Sequence, residues 1–158
     1  MLIFAASEMT IRVTFPREGK ALSILPILIV TPCLAPCDNN TLTFAEETFH
    51  MYQRVNNQGG KTDVNEVEAK LFSAKINLEI KAWNNMPYHD KIAGKVGSPY
   101  ADSMANLLWT GYNDKDYKIA VDNFFSGSIS GSVYKKQMGY VHGTIRKNPL
   151  IKKFLPTK

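Results

Sequence analysis

Apolar residues recur every three or four positions through most of this chain, and helix-end chemistry flanks the runs. After Thr43-Phe44-Ala45-Glu46, which has the order of a capping box, Phe49, Tyr52 and Val55 follow three apart until Asn56-Asn57-Gln58-Gly59-Gly60 stops the run. This predicts a helix of about four turns. Asp63-Val64-Asn65-Glu66 repeats the capping order, and Val64, Val67, Leu71, Ala74, Leu78 and Ala82 continue at helical spacing. The polar face of that helix carries Glu66, Lys70 and Lys81, with Glu66 and Lys70 as a supportive i,i+4 pair. A second period runs through the same stretch: Phe72, Ala74, Ile76, Leu78, Ile80 and Ala82 alternate with polar residues, as in a strand. The Ala, Glu and Lys content and the lack of Gly or Pro favour the helix. A strand near 72–83 is the competing reading.

Further along, residues 84–90 are rich in turn formers. Ser98-Pro99 has the order of an N-cap followed by proline at the first helical position; Ala101, Met104, Ala105 and Leu108 then share a face, and Gly111 follows Trp109 as a stop. Tyr117, Ala120, Val121 and Phe124 repeat the spacing. Ser126-Gly127-Ser128-Ile129-Ser130-Gly131-Ser132 reads as a flexible or a tight connection, with a mobile linker the simpler of the two. The last element spans 133–145, either as a helix weakened by Gly139 and Gly143 or as a strand pair, and Asn148-Pro149 ends it before a short amphipathic tail. The fold these pieces predict is mainly α: a small bundle of four or five helices after an N-terminal signal-like segment. Its core is Phe49, Tyr52, Leu71, Leu78, Trp83, Leu108, Trp109, Tyr117 and Phe124. The alternative is α+β, with strands near 72–83 and 133–145.

The first forty residues break the helical pattern. Arg12, Arg17 and Lys20 precede an uncharged apolar run over residues 21–30, and polar sequence resumes at Asp38. Basic, apolar, polar is the order of an export signal, and the run falls short of the about 20 residues of a membrane span. Residues 1–36 are thus expected to be an export signal or unstructured leader, with translation starting at Met1 or Met9, and residues 37–158 a single domain. Cysteines after the apolar run raise lipidation. Cys37 is the candidate, although Pro36 stands where a small residue is expected; Pro32 does the same for Cys33. The competing reading makes 10–15 an edge strand and 22–30 a buried element, against which Pro16 and Pro26 count.

Composition changes this picture little: 158 residues, 44% hydrophobic and 21% charged, describe an ordinary single domain, and two cysteines cannot build a disulfide framework. Charge changes it more. The net charge is +5, yet residues 38–122 hold twelve acids against nine bases, and residues 135–158 hold seven bases and no acid. The binding candidates are therefore Lys135, Lys136, Arg146, Lys147, Lys152 and Lys153. Such an end attracts a protein, an anionic envelope surface or, less readily, nucleic acid. No helix-turn-helix, zinc-finger or RNP signature accompanies these residues.

Reactive groups are few. His50 lies four residues after Glu46, so the two share a helix face, but they supply only two metal ligands and no His-Glu-x-x-His motif is present. His89-Asp90 sits in a loop and could pair as base and orienter if the side chains converged. His142, near Gly139 and Gly143, reads as structural. The Ser/Gly run lacks the register of a nucleophile elbow. No cofactor and no metal are expected. The function these residues support is that of an exported envelope or periplasmic, non-catalytic binding or accessory module. The alternatives are a hydrolase acting on an envelope substrate and a cytoplasmic nucleic-acid-binding protein.

Overall fold

A computed structural model of the chain describes residues 9–10, 29–30, 40–80 and 92–156. The chain divides into two compact units, Met1–Asp38 and Asn39–Lys158. In the first, the described residues form an antiparallel pair of two-residue strands, β1 (Met9–Thr10) and β2 (Ile29–Val30), with Met9 opposite Val30 and Thr10 opposite Ile29. The rest of the expected export segment, with Cys33 and Cys37, lies outside the described residues.

The second unit is mainly α. Its helices are α1 (Asn40–Val55), α2 (Asp63–Ile80), α3 (Pro99–Thr110), α4 (Asp114–Asp122) and two short ones, α5 (Phe124–Gly127) and α6 (Gly131–Lys136), followed by a 3-10 turn at Leu150–Lys153. α2 is the centre: α1, α3, α4, α5 and the 3-10 turn all pack on it, and every residue from Asp63 to Ala74 is buried. A helix buried all round should be apolar throughout, so the charged residues of α2 must find partners inside the fold.

The apolar stripes are buried over most of their length, but Val55 at the end of the α1 stripe is exposed and Leu78, expected in the core, is only half-buried. Ala45, Phe49 and Tyr52 of α1 face Val64, Val67, Leu71 and Phe72 of α2 within one core, which continues into Met104, Leu107, Leu108, Tyr117, Val121 and Phe124. Phe49 stacks on Phe72 at 5.0 Å, and Phe154 of the C-terminal segment closes edge-on over Phe72 at 5.1 Å. Each such buried side chain contributes about 1.5–3 kcal/mol. Two ends form as expected. The Ser98 hydroxyl accepts from the Ala101 amide at 3.2 Å with Pro99 in the first turn, and Gly111 stops α3 with φ of 92°, where a Cβ would strike the Pro156 carbonyl.

Several expectations are overturned. α1 starts at Asn40, so Thr43 sits within the helix and Glu46 is no capping residue. α2 stays helical to Ile80, which removes the strand over residues 72–80; Trp83 lies outside the described residues. The element expected over 133–145 is helical only through Lys136, where α6 ends, and forms no strand pair; Gly139, with φ of 70°, turns the chain into an irregular strap. That strap meets the start of α2 through one isolated bridge, Thr62 to Val141. The Ser/Gly run is packed. A Cβ on Gly127 would lie 2.5 Å from Tyr100 Cβ, one on Gly131 would meet the Phe124 carbonyl at 2.5 Å, and Ser128 is fully buried. These glycines allow close approach where their composition reads as slack. Trp109, expected in the core, is 65% exposed.

Candidate functional site

Every charged residue in the first two turns of α2 points at a partner from another segment. Asp63 holds the strap: its carboxylate accepts from the Gly143 amide at 2.7 Å and from His142 Nδ1 at 2.6 Å. Glu68 accepts from Arg146 Nη1 at 2.7 Å and from the Tyr117 hydroxyl at 2.8 Å. The other Arg146 nitrogen donates to the Gln58 carbonyl and to the Asn65 side chain. Burial pushes the Glu68 carboxyl above its ordinary range, and Arg146 only partly offsets this.

The second cluster joins α1 to α2. His50 Nε2 lies 3.2 Å from Glu66 Oε1, and Lys70 Nζ lies 2.9 Å from Glu46 Oε1. Glu46 and His50 therefore do share a face, as their spacing requires, but each is paired across to α2 rather than to the other. Gln53 fixes the imidazole: its amide nitrogen donates to the Asn65 carbonyl at 3.1 Å, so its oxygen accepts from His50 Nδ1 at 2.9 Å. Burial lowers the His50 pKa, but the hydrogen bond and charge of Glu66 outweigh it and hold the imidazole above its ordinary value. Burial likewise raises Glu66, and His50 and then Lys70 outweigh it, leaving the carboxyl below its ordinary value. Lys70 reaches the Tyr134 hydroxyl at 3.5 Å, and the Tyr134 and Tyr140 rings meet edge-on at 4.9 Å. Burial, then the charge of Glu66, pushes both phenols up. One ligand-type atom from each of Glu46, His50 and Glu66 lies within 4.8 Å of the others, so α2 supplies the third donor that the spacing of Glu46 and His50 lacked.

Glu66 was missed as a site residue because its position also suits a capping box. The Thr62 hydroxyl instead accepts from the Asn65 amide at 3.3 Å, which leaves Glu66 to turn inward. The expected solvent-facing pair of Glu66 and Lys70 is corrected accordingly, since both are buried. His89 and Asp90 lie outside the described residues.

The basic end splits into two populations. Arg146 is turned inward, its side chain 19% exposed. Lys135, Lys136, Lys147, Lys152 and Lys153 are exposed; Lys135 Nζ lies over the Phe125 ring at 5.5 Å and Lys152 Nζ over Tyr112 at 5.1 Å. The stretch around Lys135 and Lys136 also exposes Ile129, Val133, Met138 and Val141. Among the described residues, no helix is long and apolar enough to cross a membrane. No protein-family model, curated protein or solved structure matches the chain.

Proposed function

We propose that this chain is an exported, non-catalytic binding module that docks an acidic protein through the surface around α6. One observation carries the reading. Residues 129–141 expose Ile129, Val133, Met138 and Val141 alongside Lys135 and Lys136, with Lys147 soon after. Apolar side chains among lysines fit a protein partner, which buries the former and pairs the latter. Nucleic acid would use the charge and leave the apolar residues wet. Export rests on the order of basic, apolar and polar sequence over the first forty residues.

Poly-glutamate, duplex DNA and anionic lipid vesicles serve as probes across a salt series. Salt-sensitive binding to poly-glutamate that is lost in Lys135→Glu/Lys136→Glu/Lys147→Glu supports the reading. Tighter binding to DNA or vesicles, or unchanged binding by the triple variant, overturns it. Intact mass and N-terminal sequencing of the fractionated native protein test export.

A hydrolase of an envelope substrate is the second reading, favoured by the meeting of His50 with Glu66 next to Lys70. Turnover of envelope-derived oligomers that His50→Ala abolishes and His142→Ala spares would install it in place of the first.

A further inference from the structure

We propose that Glu46, His50 and Glu66 form a binding site for a divalent cation of the zinc type. One imidazole nitrogen and two carboxylates are a donor set suited to such ions, and three protein ligands leave a position open. Three observations carry the inference. The donor atoms lie within 4.8 Å of one another, a span that small side-chain rotations close around an ion. The His50 ring is already aimed: Nδ1 donates to Gln53 Oε1, an amide that α2 itself orients, so Nε2 faces the carboxylates. This outer-shell hydrogen bond is the arrangement metal-ligating histidines use. Finally, Glu66 is 1% exposed, and its Oε2 is buried with no close hydrogen bond, although the Tyr134 and Tyr140 hydroxyls interact with the same carboxylate.

Lys70 is the competitor. Its ammonium is the present counter-ion of Glu46, and the Tyr134 hydroxyl 3.5 Å away offers it a second acceptor when Glu46 turns to a metal. With Lys70 still charged, a doubly charged ion sets three positive charges against two carboxylates, so Lys70 opposes the metal. The side chains of His50 and Glu46 are 16% and 19% exposed, which gives the ion an entrance.

The inference is independent of the docking surface, and its test needs no activity. The full chain is stripped with chelator and titrated calorimetrically with zinc chloride, with magnesium chloride for comparison, and its melting temperature is followed with each. One zinc per chain, preferred over magnesium, is expected. His50→Ala weakens binding by about tenfold or more, the usual range for loss of a ligand or its support. Glu46→Gln, at a part-exposed position and with the fold checked by circular dichroism, does the same if the buried Glu66→Gln fails to fold. Lys70→Met removes the competitor and tightens zinc binding. His142→Ala, whose partner is Asp63, leaves it unchanged. Absence of zinc binding at tens of micromolar, or zinc binding retained by both folded His50→Ala and folded Glu46→Gln, would falsify the site.

Discussion

Arg146 and Lys147 are neighbours in sequence and equal contributors to the basic end, yet their surroundings are opposite. The Arg146 guanidinium is planar and holds several acceptors at once: Glu68, the Gln58 carbonyl and the Asn65 side chain. Lys147 is exposed. Arg146→Ala leaves Glu68 buried without its cation and should cost about 3–5 kcal/mol. Lys147→Ala should fall within about 0.5 kcal/mol of the parent. Urea denaturation midpoints measure both, and equal midpoints would mean that the contacts of Arg146 with Glu68, Gln58 and Asn65 add no stability. A count of basic residues cannot make this distinction, because it depends on which acid the fold delivers. His50 and Glu46 were legible as a pair because four residues on a helix fix a shared face. Glu66 was not, because spacing within one helix does not say how α2 lies against α1 after the connection at residues 56–62.

At the scale of elements, α2 was legible by its apolar stripe and misread on its other side. Glu66 and Lys70 read as part of a solvated face, and a helix with such a face, and with Asp63 and Glu68 besides, should lie at the surface. It lies at the centre because remote segments supply a partner for each: His142, His50, Arg146 and Glu46. The Ser/Gly run stayed open between a flexible and a tight connection for a related reason. Glycine permits a slack chain and a close approach equally, and the sequence does not say which is meant. Here one substitution separates them. In a mobile linker, Gly127→Ala would change stability by less than about 0.5 kcal/mol, since the residue would keep its freedom folded and unfolded. Against Tyr100 Cβ at 2.5 Å it should destabilise by about 1–3 kcal/mol, the usual range for overpacking, as a lower denaturation midpoint would show. The 133–145 segment fooled both periods because its anchors, Asp63 and Lys61, sit far upstream.

For the whole molecule, the chain's C-terminal end decides whether the core is closed. The tail after Pro149 reads as a short amphipathic end, with lysines as its most visible feature. Lys152 and Lys153 face water, while Leu150, Ile151 and Leu155 are buried and Phe154 packs against Phe49, Tyr52 and Phe72. Removing everything after Pro149 strips four apolar side chains from one side of the core. At about 1.5–3 kcal/mol each, that loss is comparable to the whole stability of a domain this size, about 5–15 kcal/mol. The truncated chain should therefore lose its cooperative thermal transition and bind a hydrophobic dye, as expected when the aromatic cluster on α1 and α2 is uncovered. Lys152→Ala/Lys153→Ala, which keeps the apolar residues and removes two charges, should melt as the parent does. If the truncation melts as sharply as the parent and the double alanine variant does not, the tail acts through its charge, and the core must close without it.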